Sequence, residues 1–533
     1  MDVVDFFCGA GGFSEGFHQA GFKIVRAYDI WEPAIRTHNM NHPNNEQIAK
    51  YGNVYDISML EDEEFEKAVP DVDVIIGSPP CVAFSNSNNS GKADKTLGIK
   101  LIESYLRIVA RKLFKKNTKL KYWVFENVKN VEKYVKSSYT MQELGLEGDD
   151  ILIVKNESSK VYNVKYFGVP SNRQRYICGF FPEPEQKLEE NQVRTLKTVM
   201  NSLGHPYEKI DKYIVDPNYD FKLPGHFLTD HHYIKEIPEF EWKKARRQKQ
   251  DKGYMGRMSF PENIDNPGRT VMATMSASSR ESMIFPYKKN KYRYPTIREV
   301  ATIMSFPIDY RFYGESDSVK YKLVGNAVPP LFSNAIAKAI IKNSNCELNG
   351  NFKRKIFDEK VQFVNLNNQR FEVKVEKEKT LKTKYKYHVP YLIVNAFRVE
   401  LLNQVDENKV IWKAEIHKSQ GKNARMYKNF NYDKNFLSNE ELMTINNFIE
   451  FSIKKIGSFN GLQRNLCLTS TRRLEESILG PDELLQKIRE LIDKEFTSYN
   501  DDTYVDSLDL FLPKKILISY YILSKILGGI ENG

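Results

Sequence analysis

An α/β fold with a mainly parallel sheet, an inserted lobe and an additional C-terminal α+β domain is what this sequence predicts, on three observations. From residue 1 to about 180, apolar runs of strand length alternate with helix-like segments, the pattern of βαβ units around a parallel sheet. Between about 186 and 287 the alternation gives way to polar, proline-containing and aromatic-basic sequence with no clear period. After Asn343 the composition shifts to lysine-rich strands and then to helical segments. The expected organisation is a first domain over 1–185 to which 288–345 return, a lobe over 186–287, and a separate C-terminal domain over 346–533.

The strands of the first domain are expected at Val3 to Phe7, Ile24 to Tyr28, Val72 to Ile76, Tyr122 to Phe125, Ile151 to Val154 and Tyr176 to Phe181, each an apolar run of strand length. Regular structure returns at Thr296 to Met304 and ends in the helix-like Leu331 to Ile341. In the C-terminal domain Phe371 to Glu376 and Tyr391 to Leu402 read as strands, with helices from Asn439 onward. Its most apolar stretch, Ile516 to Leu527, is bracketed by Lys514, Lys515 and Lys525 too tightly to span a bilayer. It reads as a buried helix.

A chain of 533 residues is too long for a single core. Its formal charge of +10 suits a polyanionic partner, which is a statement about association only. The cysteines at 8, 81, 178, 346 and 467 are scattered, odd in number and without paired ligand spacing, so neither a disulfide framework nor a metal site is expected. The segment Met1-Asp2-Val3-Val4-Asp5 enters a strand directly and lacks the basic-then-apolar pattern of a signal peptide. A reducing cytoplasm is the expected compartment.

Chemistry enters with the first strand, which runs into Gly9-Ala10-Gly11-Gly12 and opens a helix. Glycine lets the backbone approach a ligand closely at a helix N-terminus. A glycine turn of any α/β protein would look the same, but Asp29 closes the second strand, where an acidic side chain accepts hydrogen bonds from ribose hydroxyls. The pair points to an adenosine-type cofactor. Next, Pro79-Pro80-Cys81 follows the apolar strand Val72 to Ile76, which puts a thiol where open α/β sheets do their chemistry. Glu126 ends the run Tyr122-Trp123-Val124-Phe125 and is expected in the same crevice.

With these, Phe125-Glu126-Asn127-Val128, Asn172-Arg173-Gln174-Arg175 and Gly325-Asn326-Ala327-Val328-Pro329-Pro330 complete five segments in one order. Together they resemble the cytosine-5 DNA methyltransferase family over residues 1 to about 345. The resemblance implies a Rossmann-like domain that binds S-adenosylmethionine, with Phe7, Ala10, Gly11, Gly12, Asp29, Ile30, Asn53, Pro80, Asn326 and Val328 around it. It makes Cys81 the nucleophile that adds to carbon 6 of cytosine, with Glu126, Arg175 and Arg173 stabilising the charge that develops on the ring. The family commonly has Gln after the cysteine and ahead of the arginine motif; this chain has Val82 and Ser171. Val82 cannot hydrogen-bond as Gln would, although it could act as a wedge.

Because a duplex hides its bases, the target must be flipped out at a cost of a few kcal/mol. By the resemblance, 186–287 is the target-recognition lobe, with Arg246, Arg247, Tyr254, Arg257 and Arg269, alongside Val82 and Ser85 of the active loop, as the candidates for touching DNA. A solvated helix face explains the run Lys243 to Lys249 about as well. The expected partners are double-stranded DNA and a cognate restriction endonuclease, with the protein acting as a monomer. Nothing in 346–533 matches the family. Glu372, Lys374, Glu415 and His417 offer ligand types for a nuclease, but lysine-rich strands give such patterns often, and an accessory DNA-contacting role is the expectation. The competing class for the whole chain is a silent DNA-binding protein of the same fold, against which the complete Cys81, Glu126 and Arg175 set argues.

Overall fold

The computed structural model describes residues 1–42, 47–80, 95–206, 213–251, 256–345, 375–406, 409–418, 425–427, 436–500, 503–507 and 510–531. Two compact units divide the chain: Met1–Glu236 with Pro261–Phe371, and Ile237–Phe260 with Glu372–Gly533.

The first unit is built on a seven-stranded sheet. Its strands are β1 (Asp2–Phe6), β2 (Lys23–Asp29), β3 (Ala49–Tyr51), β4 (Val74–Gly77) and β5 (Tyr122–Val128), then Gln174–Phe180 and Lys160–Asn163. The spatial order is β3-β2-β1-β4-β5 followed by Gln174–Phe180 and Lys160–Asn163. The first five are parallel, while Gln174–Phe180 runs antiparallel to β5. Strand order reverses between β1 and β4, and that switch point is where an open α/β sheet holds its ligand.

Both faces of the sheet are covered, as near-continuous apolar strands require. Val4, Phe6, Ile75 and Trp123 pack toward the helix Thr96–Leu113. On the other face Val3, Ile24, Val74 and Ile76 share a core with Phe13 and Phe17 of α1 (Gly12–Gln19) and with Phe332 and Ile336 of the helix Pro330–Ser344. That returning helix lies so close to α1 that a Cβ on Gly16 would sit 2.4 Å from the Pro330 carbonyl oxygen. Ser333 donates to the Phe13 carbonyl at 2.6 Å and Asn334 to that of Gly16 at 3.1 Å, which locks the two helices.

Two expectations are corrected here. The apolar run Ile151 to Val154 is no member of the sheet: Ile151–Ile153 pairs with Ser138–Thr140 in a separate hairpin whose Ile151 and Ile153 are exposed. The seventh strand is instead the polar Lys160–Asn163. The lobe is also not one piece. Residues 196–203 form a helix that shares a core with Val271, Met283, Ile297 and Val300, but 237–260 belong to the second unit.

In that second unit a four-stranded antiparallel sheet, Lys386–His388, Phe397–Asp406, Lys409–Lys418 and Arg425–Tyr427, packs against helices. The helix Lys514–Ile530 is its centre, with Ile516, Leu517, Ile518, Ile522 and Leu523 fully buried. No helix of the described residues is long and apolar enough to cross a membrane. The helix Glu239–Gln250 buries Ala245 and Lys249, and its Arg247 guanidinium lies 4.5 Å from the Tyr387 ring centre, 3.5 Å from Asp482, and donates to the His388 carbonyl.

This sharing of residues sets an expectation for truncation. A chain ending at Asn343 strips the helix Glu239–Gln250 of Tyr387, His388 and Asp482 and leaves its packed face bare, so it should aggregate. Removing 237–260 together with 372–533 should leave a soluble first unit. Size-exclusion chromatography of the two truncations checks this; equal solubility would contradict the division.

Candidate active site

The glycine loop begins where β1 ends, and its backbone is held in a conformation few side chains allow. Phe7 has φ 58°, in the left-handed region that a bulky residue rarely occupies. Gly11, with φ 87°, is the residue preceding α1, and Gly12 opens the helix. A Cβ on Gly12 would lie 2.2 Å from the Val328 carbonyl oxygen. Only glycine fits. The same contact places Val328 of the returning segment against the loop.

Asp29 closes β2 and accepts from the backbone N–H of Gly9 and of Trp31, both at 2.9 Å. Burial pushes its carboxyl up, while those two hydrogen bonds and the Lys322 charge oppose the shift. A carboxylate has room for a further hydrogen bond from a ligand hydroxyl beside these backbone donors. Beside it Ile30 is 62% exposed, an apolar side chain at the carboxyl edge of the sheet that a flat ring would cover. Asn53 has a local role as well: its side-chain oxygen accepts from the Tyr55 N–H at 3.1 Å and so caps the helix Val54–Ser58. The cradle therefore fits an adenosine-type ligand at the loop, at Asp29 and at Ile30.

Behind the loop lies a buried polar chain. Ser14 donates to Asp5 at 2.6 Å, and the His38 ring nitrogen is 3.1 Å from the Ser14 hydroxyl. Burial pushes the Asp5 carboxyl up to about 8, against the Ser14 hydrogen bond and with the help of Asp29. Burial likewise pushes His38 down to about 4. Because Asp5 binds its proton more tightly folded than unfolded, its contribution to stability is whole below about pH 4 and is lost as pH rises to about 8. His38 acts oppositely, its contribution being lost as pH falls from about 6.5 toward about 4. Asp5→Asn should therefore gain on wild type in melting temperature from about pH 5 to about pH 8. A constant difference across that range would contradict it.

At the other side of the switch point Glu126 and Arg175 stand on adjacent strands. In the register Glu126 faces Ile177 and Arg175 faces Val128, so the two side chains share a face and meet diagonally. Arg175 Nε lies 3.0 Å from Glu126 Oε1, and both residues are buried. Ser78 donates to the other oxygen, Oε2, at 2.6 Å. Asn127, next in the chain, donates to the Pro79 carbonyl at 3.0 Å, which fixes the last residues before Cys81. Ser78 and Asn127 were not singled out by sequence, although Asn127 lies inside the Glu126 motif and Ser78 directly precedes Pro79-Pro80-Cys81. Pro80 is exposed at the mouth. Cys81, Val82 and Ser85 lie outside the described residues.

Arg173 plays another part. Its guanidinium is buried and donates to the carbonyls of Val271 at 3.3 Å and of Gly325 and Ala327 at 3.1 Å. It ties the arginine motif to the Gly325-Asn326-Ala327-Val328 turn, so the structure makes it a positioning residue and corrects its place among the catalytic candidates. Asn326 itself is exposed beside that turn. Ser171 donates to the Arg269 carbonyl at 3.3 Å, in a short parallel ladder that pairs Gly268 with Ser171 and Arg269 with Asn172.

The DNA-reading candidates divide. Arg246 and Arg257 are exposed on the second unit. Arg247 is packed against Tyr387 and Asp482 there, and Arg269 is ion-paired to buried Glu262 at 2.9 Å, so these two are corrected to structural roles. Tyr254 lies outside the described residues, as do Glu372 and Lys374. His417 is 2.9 Å from Glu415 and 3.2 Å from Glu400, which Arg398 and Lys386 also hold at 2.7 and 3.1 Å. Glu400 is thus held by two cations and Glu415 by the His417 ring. Among the described residues no group of three His, Cys, Asp or Glu is arranged to hold a metal.

Residues 1–342 match the family model of the C-5 cytosine-specific DNA methylase. The Type II methyltransferase M.MthTI of Methanothermobacter thermautotrophicus is 30% identical over 66% of this chain and 99% of its own. M.DdeI of Desulfomicrobium norvegicum, also a Type II methyltransferase, is 27% identical over 64% of this chain and 88% of its own. Among solved structures, the S. pombe Dnmt2 methyltransferase covers 65% of this chain and 100% of its own at 16% identity and a TM-score of 0.43. With the family model matching well over half of its length, the chain belongs to the C-5 cytosine-specific DNA methylase family.

Proposed function

We propose that this cytosine-5 DNA methyltransferase takes its methyl group from S-adenosylmethionine and modifies one cytosine within a specific duplex sequence, protecting that DNA from a cognate restriction endonuclease in the cytoplasm. When bound, S-adenosylmethionine supplies an electrophilic methyl group. The chain's own residues do the rest. The glycine loop, Asp29 and Ile30 hold the donor's methionine, ribose and adenine parts. The Cys81 thiolate adds to carbon 6 of the flipped-out cytosine, because a thiolate is strongly nucleophilic and leaves readily. The electron pair then moves through the ring to make carbon 5 nucleophilic, and after methylation the carbon-5 proton departs and the thiolate is expelled.

Charge that builds on ring nitrogen 3 and the carbonyl oxygen needs a proton donor and a cation beside it. The single observation that carries the reading is the buried Glu126–Arg175 pair at 3.0 Å on neighbouring strands. Ser78 on Oε2 and Asn127 on the Pro79 carbonyl tie this pair to the residues that precede Cys81 in the chain. Arg246 and Arg257, exposed on the second unit, are proposed to touch the duplex, and the protein is proposed to act as a monomer. The second unit is proposed to assist that engagement and to carry no chemistry.

Bisulfite sequencing of DNA from cells expressing the protein tests the reading, since it reports activity and target together. The expected result is protection of one cytosine in a recurring sequence. Uniform conversion from soluble protein would favour the silent DNA-binding alternative.

A further inference from the structure

We propose that Tyr310 is a positioning residue of the donor-binding loop, its buried hydroxyl holding the Ala10 carbonyl in the shape that S-adenosylmethionine requires. The hydroxyl donates to that carbonyl at 2.6 Å across 300 residues of sequence. Both residues are buried, Tyr310 at 6% and Ala10 at 1% exposure. The contact lies in the middle of the glycine loop. A Cβ on Gly11 would be 2.8 Å from the same hydroxyl and 3.0 Å from the His38 ring, so the phenol is seated against the loop's backbone.

The loop's other hydrogen bonds, from the Gly11 N–H to the Cys8 carbonyl at 3.0 Å and from the Gly9 N–H to Asp29 at 2.9 Å, do not involve the Ala10 carbonyl. Gly11 precedes α1 with φ 87° and has no side chain to cap the helix. Tyr310 can supply the hold because it is itself immobilised. Its ring packs between Phe306 and Phe312, at 4.8 and 5.5 Å between centres, and its own carbonyl accepts from the fully buried Arg298 at 2.7 Å. Burial keeps the phenol protonated, so it remains a donor. A loop fixed before binding spares the ordering cost at the moment of binding. Without the hydroxyl the Ala10 carbonyl is left unpaired and the loop must relax.

This inference rests on the reading that the loop binds S-adenosylmethionine. The test is Tyr310→Phe in the full chain, which removes one oxygen and keeps the aromatic packing. Titration calorimetry with S-adenosylmethionine and S-adenosylhomocysteine should show Kd rising by about tenfold, the scale of one buried hydrogen bond whose acceptor is left unmet. KM for S-adenosylmethionine should rise in parallel, with kcat at saturating donor and KM for DNA within about twofold of wild type. Gly11→Ala displaces the same hydroxyl, so its cost should shrink when placed in the Tyr310→Phe background. An unchanged Kd, a loss confined to kcat or to melting temperature, or additive costs in the double variant would overturn the proposal. Failure of wild-type protein to bind either compound would remove the cofactor reading and this inference with it.

Discussion

Cys81→Ser should abolish methyl transfer, by at least about 10⁴-fold, the scale on which loss of a covalent nucleophile is felt, while S-adenosylmethionine and DNA binding stay within a few-fold of wild type. A serine hydroxyl is nearly isosteric with the thiol, yet at neutral pH it is not ionised and adds poorly to carbon 6. Asn127 grips the Pro79 carbonyl at 3.0 Å, and Ser78 binds Glu126, so the residues that precede Cys81 are anchored to the strand that carries Glu126. Methylation assays on the purified variant, with calorimetry for the donor and gel shift for DNA, check both halves. Turnover near the wild-type rate would remove Cys81 from the mechanism.

Glu126→Gln should lower kcat by about 10²- to 10⁴-fold, the usual contribution of a positioned proton donor. The amide keeps an acceptor for Ser78 but can neither hold nor release the proton that ring nitrogen 3 needs. It also leaves the buried Arg175 without its counter-charge, and breaking such a pair costs about 3–5 kcal/mol when one partner is removed. The two consequences separate in a double variant. If Glu126 served only to neutralise Arg175, Glu126→Gln with Arg175→Met would recover stability and activity together. The expected outcome is recovered melting temperature with activity still lost.

Much of this site was legible because the motifs sit at strand ends. Parallel strands β1, β2, β4 and β5 deliver the glycine loop, Asp29, the Pro79-Pro80 segment and Glu126 to one edge of the sheet, and apolar runs marked those strands in the sequence. Lys160–Asn163 was missed because its composition is polar and its partner is the antiparallel strand beside it. Ile151–Ile153 was misplaced because an apolar run says nothing of whether it is covered, and Ile151 and Ile153 are exposed at 52% and 58%.

Side-chain roles were less legible than positions. Arg173 and Arg175 are two residues apart in one motif, yet Arg175 meets Glu126 while Arg173 turns to the carbonyls of Gly325 and Ala327. Only the fold separates them. The run Lys243 to Lys249 read as one basic surface, but helical spacing buries Ala245 and Lys249, half-buries Arg247 and leaves Lys243, Lys244 and Arg246 exposed. Tyr310 carried no local signal, since its partner Ala10 is 300 residues away.

The central claim is that carbon 5 is methylated through a covalent adduct of Cys81, and duplex DNA carrying 5-fluorocytosine at the methylated position tests it most directly. Fluorine at carbon 5 cannot leave as a proton does, so the adduct cannot resolve after methyl transfer. Denaturing electrophoresis should show a protein–DNA complex that forms with wild-type protein, requires S-adenosylmethionine and is absent with Cys81→Ser. Wild-type protein that methylates ordinary DNA at that position yet gives no denaturation-resistant complex with the fluorinated duplex would contradict the account.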